Sequence, residues 1–186
     1  SHKNVEVFAL CDVDNKALVE AGKLFPDAKL FKDYRIMLKN LNNEIDAVIV
    51  STPDHTHAPA SIMAMEFNKH VYCQKPLTHH VSEARKMRKL AEEKNLITQM
   101  GIQVHSFYDY KLATLLIQSG IIGKVSQVRA WSDKIWGYDG KKPPGEDPIP
   151  KNLDWNLWLG TAQERSYKEK IYHPGMWRKI LDYGCG

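Results

Sequence analysis

Along most of the chain, short apolar runs take turns with segments whose apolar residues recur every three or four positions. Residues 5–11 (Val-Glu-Val-Phe-Ala-Leu-Cys) form a β-prone run that ends at Asp12-Val13-Asp14-Asn15, which is turn and helix-cap chemistry. Residues 16–25 then predict a helix, with Ala17, Leu18, Ala21, Leu24 and Phe25 on one face, stopped by Pro26-Asp27. A short strand follows at 29–31, and Asp33 is placed to cap a helix through Ile36, Met37 and Leu41. The clearest strand is 46–51, whose apolar centre does not alternate, as expected when both faces of a parallel sheet are covered. Helices are predicted over 59–67, 82–94 and 107–118, and strands over 70–74 and 96–100.

Strand and helix in regular succession with short connections predict a parallel sheet wound with helices on both sides. Ligands of such sheets bind at the carboxyl ends of the strands. The chemistry is therefore expected in the loops after Cys11, Val50, Cys73 and Met100. The pattern changes after Gly123. Residues 124–136 alternate roughly, with Val125, Val128, Ala130 and Trp131 among polar neighbours, and predict a strand of a more open, half-solvated sheet. Residues 137–150 are rich in Gly and Pro and predict a loop, and 153–159 carry two Trp. A boundary at Gly123 divides a first unit, 1–123, from an incomplete second, 124–186.

Composition narrows the picture only a little. The 186 residues are 43% hydrophobic and 26% charged, ordinary for a globular protein. No apolar run approaches the roughly 20 residues needed to cross a bilayer, so no membrane partner is expected. The net charge of +4 is small and dispersed. Its densest basic stretch, 85–89, also holds Met87 and reads as a solvated helix face; no nucleic-acid partner is expected, because no aromatic ladder accompanies it. The three cysteines, Cys11, Cys73 and Cys185, are widely spaced, and Cys11 and Cys73 read as small buried hydrophobes.

Three loops carry candidate chemistry. Asp12 ends a strand where an acid can accept hydrogen bonds from both hydroxyls of an adenosine ribose, and its charge repels a 2′-phosphate, favouring NAD over NADP; a helix cap is its plainer use. Ser51-Thr52-Pro53-Asp54-His55-Thr56-His57 offers small hydroxyl residues and a proline that let a nucleotide approach the backbone, or simply a helix start. Two His at i and i+2 lack a third ligand nearby, so no metal is expected. In Gln74-Lys75-Pro76, a lysine at the end of a buried strand can polarise a hydroxyl or carbonyl, and Pro76 fixes the chain direction after it. The fingerprint GxGxxG is missing: either the chain starts after its first strand, which is the better account, or it binds no dinucleotide.

These motifs, in this order and spacing, resemble the Gfo/Idh/MocA oxidoreductases. The resemblance continues through Met100-Gly101-Ile102-Gln103, Ser119-Gly120-Ile121-Ile122-Gly123-Lys124-Val125, Leu153-Asp154-Trp155-Asn156-Leu157-Trp158-Leu159-Gly160, Trp177-Arg178 and Asp182-Tyr183-Gly184-Cys185-Gly186. Gln74 stands where the family's commonest form has glutamate. The resemblance implies an α/β fold: a Rossmann-like parallel sheet lacking its first strand, then part of an α/β domain with a mostly antiparallel open sheet. It implies NAD, with NADP as the alternative. Asp12 would contact the adenosine ribose, and Ser51, Thr52, Pro53 and His57 would line the dinucleotide. Gln74 and Pro76 would shape the cofactor turn, Lys75 would reach the nicotinamide ribose and the reacting carbon as the catalytic residue, and Gln103 would stand near the nicotinamide. Trp177 and Arg178 are weak substrate candidates, and His105 replaces an arginine found in many members.

The implied activity is hydride transfer between the nicotinamide and a hydroxyl-bearing carbon of a sugar or cyclitol. The alternatives are an NAD-dependent glycoside hydrolase of the same family and an inactive fragment. A bacterial source, a homo-oligomer and a cytoplasmic location, with the periplasm as the alternative, complete the expectation.

Overall fold

The structure is a computed structural model and describes residues 4–133 and 145–184. Two parallel ladders organise the first part. In the smaller, β1 (Ala9–Cys11) pairs with β2 (Lys29–Phe31), joined by helix α1 (Asn15–Leu24). Helix α2 (Tyr34–Asn40) leads on to the larger ladder of β3 (Ala47–Val50), β4 (His70–Gln74) and β5 (Thr98–Gly101), with β4 central. Every pairing is parallel, in register Val50–Cys73–Met100 and Ile49–Tyr72–Gln99. Helices α3 (Asp54–Glu66), α4 (Val81–Lys94) and α5 (Tyr108–Gln118) follow β3, β4 and the turn after β5. The expected succession of strand and helix is therefore present, and the parallel Rossmann-like α/β fold with it.

One aliphatic core joins both ladders. Val50, Val71 and Cys73 from the sheet meet Ala58, Ala60, Ala64 and Met65 of α3, Met37 and Leu38 of α2 and Met87 of α4. Phe8, Ala9, Cys11 and Phe31 of the smaller ladder rest against the same cluster. The alanines of α3 let that helix lie close to the sheet, so Ala64 and Met65 are fully enclosed. Burial raises the thiol pKa of Cys73, and that of Cys11 to about 12, so both behave as small apolar groups. Cys185 lies outside the described residues.

The sequence reading needs correction in three places. Helix α3 begins at Asp54, ahead of the expected 59–67, so His55 and His57 sit in a helical first turn rather than a loop. Pro59 is therefore inside the helix. It cannot donate to the His55 carbonyl, and the Thr161 hydroxyl donates to that oxygen at 3.5 Å instead. Helices do not cover both faces of the larger ladder. Ile49 is 73% exposed and Tyr72 38%, because α3 and α4 lie on the Val50–Cys73 side while α5 touches the short helical turn before it. The strand expected over 124–136 is not formed by 124–133; 134–136, and most of the loop expected at 137–150, lie outside the described residues.

The antiparallel open sheet expected after Gly123 is not shown by the described residues. Helix α6 (Trp155–Leu159) and a 3₁₀ turn (Met176–Lys179) gather an aromatic core instead. Trp155 and Trp158 stack at 4.8 Å, and Tyr183, fully enclosed, lies 4.9 Å edge-on to Trp158. The Trp155 indole donates to the Arg165 carbonyl at 2.7 Å. The Arg165 guanidinium lies over the Tyr183 ring and pairs with Asp182. Gly160 closes α6 at φ 56°, where a Cβ would also meet the Thr56 methyl at 2.9 Å.

Candidate functional site

Most of the sequence-predicted groups follow the carboxyl end of a parallel strand. Asp12 follows β1, Ser51-Thr52-Pro53 follow β3, Gln74-Lys75-Pro76 close β4, and Gln103 opens the 3₁₀ turn Gln103–Ser106 after β5. Asp12, Ser51, Thr52, Lys75 and Gln103 are exposed, while Pro53, Gln74 and Pro76 are half-buried. Lys75 thus stands in solvent at the end of a buried strand. It is a solvated cation carried on a fixed turn.

At β1, the Asp12 carboxylate accepts the Asp14 amide at 2.8 Å. Protein gathered around this carboxyl raises its pKa, and the Asp14 bond works against that rise. Asp14, rather than Asp12 or Asn15, caps α1, accepting from the Lys16 and Ala17 amides at 2.8 and 3.4 Å. The same carboxylate accepts the Asn152 amide at 2.7 Å and lies 2.9 Å from His173 Nε2. Burial alone would raise its pKa, but these hydrogen bonds outweigh burial and hold it below the usual carboxylate value. Backbone bonds run beside it, from Asn15 to Asn152 at 2.7 Å and from Asp154 to Val13 at 3.0 Å. The end of β1 is stitched to the second unit.

At β4, the Gln74 side-chain oxygen accepts the Lys75 amide at 2.8 Å. A Cβ on Gly101 would stand 2.5 Å from that oxygen and 3.1 Å from the Tyr72 ring, so a glycine on β5 lets Gln74 and Tyr72 lie across the neighbouring strand. The Lys75-Pro76 peptide is cis. Next along the chain, His80 and Glu83 form the capping box of α4.

The first turn of α3 connects the site to both cores. Pro53 offers no side-chain cap. The turn is held by the Thr56 amide and hydroxyl, each donating to the Pro53 carbonyl at 2.9 Å, and by the His55 amide donating to the Tyr183 carbonyl at 3.2 Å. The His55 ring is buried with its Nε2 3.2 Å from the Trp158 carbonyl, and it rests 5.0 Å from the Tyr183 ring. Burial lowers its pKa, and the backbone bonds only partly offset this. The His57 ring is 1% exposed, with Nδ1 2.6 Å from the Pro76 carbonyl and Nε2 2.8 Å from the Thr52 carbonyl. His57 therefore lies beneath the turns it was expected to line. His55 was not singled out by its sequence context.

A cavity of about 310 Å³ opens between the start of α4 and the end of the chain, lined by His55, His79, His80, Glu83, Thr161 and Asp182 among others. Trp177 is buried in the aromatic core with the Arg178 guanidinium 4.3 Å from its ring, so the indole serves packing. Among the described residues no group of three or more His, Cys, Asp or Glu is arranged to hold a metal, and no helix is long and apolar enough to cross a membrane.

Comparison with known proteins decides the family. A sequence model for an oxidoreductase family with an NAD-binding Rossmann fold, Gfo/Idh/MocA, matches residues 1–102. The chain belongs to the Gfo/Idh/MocA family. It is 30% identical over 175 residues to inositol 2-dehydrogenase of Salmonella typhimurium, which covers 91% of this chain and 51% of that protein. Among solved structures, myo-inositol 2-dehydrogenase of Lactobacillus plantarum superposes with a TM-score of 0.61 at 27% identity, over 66% of this chain and 36% of that one. Levoglucosan dehydrogenase, solved with NADH and levoglucosan, gives 0.58 at 26% identity, over 64% and 32%. The chain spans about a third to a half of the length of such curated relatives. Asp12, the Ser51-Thr52-Pro53 turn and Lys75-Pro76 all lie within the residues 1–102 that the family model matches.

Proposed function

We propose that the whole protein is an NAD-dependent oxidoreductase acting on a hydroxyl-bearing carbon of a sugar or cyclitol. Residues 1–123 belong to its nucleotide-binding unit, and 124–186 begin its substrate unit. The observation that supports this reading best is that an acid, a hydroxyl-proline turn, an ammonium and an amide each follow the carboxyl end of a parallel strand, β1, β3, β4 and β5 in turn.

The donor set suits a nicotinamide dinucleotide in its nucleoside parts. The exposed Asp12 carboxylate offers acceptors to a vicinal diol, and its charge selects against a 2′-phosphate. Ser51 and Thr52 present hydroxyls on an exposed turn. Gln103 offers an exposed side-chain amide. The glycine-rich turn that cradles a pyrophosphate is not in this sequence. When bound, the nicotinamide supplies the redox chemistry. Lys75 stabilises negative charge developing on the substrate oxygen, and Pro76 with the Gln74 bond fixes where that ammonium stands. The inositol and levoglucosan dehydrogenases among the relatives support a polyhydroxylated substrate.

The test is steady-state kinetics of the whole protein against a panel of inositols and anhydrosugars, following NADH. K75M is expected to lower kcat by about 10²–10⁴. Unchanged turnover in K75M removes Lys75 from the chemistry. Release of a sugar leaving group without net NADH marks the hydrolase instead.

A further inference from the structure

The His57 ring is enclosed at 1% exposure, and both of its nitrogens face backbone carbonyls. Those carbonyls belong to Thr52, in the turn after β3, and to Pro76, in the turn after β4. A carbonyl oxygen only accepts. An imidazole with one proton can donate to one of them and must turn a lone pair on the other, which at 2.6–2.8 Å and away from water is repulsive. A ring that donates from both nitrogens satisfies both oxygens at once, and it does so as an imidazolium whose enclosed charge faces those two carbonyl dipoles.

We propose that His57 is a positioning residue: its ring donates from Nδ1 to Pro76 and from Nε2 to Thr52, fixing the separation between the Ser51-Thr52-Pro53 turn and Lys75. The inference rests on the nucleotide reading of those two turns. The β3–β4 backbone ladder ends at the pair Val50–Cys73, so beyond it the turns have no ladder bond to hold their spacing. The His57 side chain spans them, and it is itself rooted in the first turn of α3, where the Pro53 carbonyl takes two bonds from Thr56. Displacing a positioned group by about an ångström can cost on the order of a hundredfold in rate. A strut of two short hydrogen bonds under the turn that carries Lys75 acts on that scale.

The experiment has a cofactor-free arm and a cofactor arm. In the ¹⁵N-labelled chain, both ring nitrogens of His57 should carry directly bonded protons that exchange slowly with solvent. One protonated nitrogen overturns the strut, because the ring would then hold one turn alone. H57F keeps a ring of similar shape without donors, and it should move the amide resonances of both the 51–53 and 75–77 turns. Movement of one turn overturns the inference. In the whole protein, NADH affinity and kcat should each fall in H57F, by about ten- to a hundredfold in kcat. H57Q, which retains two N–H donors, should recover part of the loss. Kinetics and NADH affinity of H57F equal to the parent's would overturn the positioning role. Absence of NADH binding by the unsubstituted protein would sink the dehydrogenase reading alone, since the ring-proton measurement still decides the strut.

Discussion

The two cores of this chain are built on different principles. The sheet core is aliphatic and made by neighbours: β4 lies between β3 and β5, and α3 packs on it with alanines and a methionine. Its shape follows from backbone ladders that would form around many sets of apolar side chains. The second core has no ladder among the described residues. It holds together through flat rings set stacked or edge-on and through single polar handles, such as the Trp155 indole on the Arg165 carbonyl. The difference teaches that the first core specifies a topology, whereas the second specifies a particular set of contacts.

Three substitutions break or sharpen this contrast. The largest effect is expected for W158A. Trp158 is 3% exposed and its ring neighbours Trp155, Tyr183 and His55. Its loss should cost about 3–5 kcal/mol. Near-ultraviolet circular dichroism should collapse at lower urea than the far-ultraviolet signal, because the ladders do not depend on that ring. A single coincident transition with the parent's midpoint would erase the distinction between the cores.

D14A comes next, because Asp14 joins the two regions. Removing a helix cap and two long-range bonds to a carboxylate should cost about 2–3 kcal/mol, measured by urea unfolding. The pH dependence carries the sign. The folded pKa of Asp14 lies below its unfolded value, so its contribution is fully present above about pH 4 and is lost as pH falls through the folded pKa. D14N should show less of this acid-side loss than the parent; an identical acid profile would show that the carboxylate couples nothing.

G101A should have the smallest effect on stability, about 1 kcal/mol or less, because the atom a Cβ first meets is the mobile end of Gln74. Its consequence should be local. The Gln74 oxygen must leave the Lys75 amide, so kcat should drop while the urea midpoint barely moves.

What could be read from sequence follows the same division. The ends of β3 and β4 were legible because a non-alternating apolar run stops at a proline turn in each case. The first unit's elements matched to within a few residues, apart from the start of α3. That start was hidden because Pro59 reads as a first-turn proline, whereas the carbonyl it leaves unserved is satisfied by Thr161, far along the chain. Asp14 as the α1 cap was one of three local choices, but its ties to Asn152 and His173 have no local signature. His55 was overlooked for the same reason, since its partners are Trp158 and Tyr183. The alternation in 124–133 suggested a strand, but a period of two does not supply a partner edge.

One helical turn carries His57 facing the strand ends and His55 facing the rings, two residues apart on the same rigid backbone. The two cores cannot pivot at that turn without breaking the bond from the His55 amide to Tyr183 or that from the Thr161 hydroxyl to the His55 carbonyl. Any rocking of the aromatic core against the sheet therefore drags the floor of the strand-end loops with it, as a crank turns its shaft.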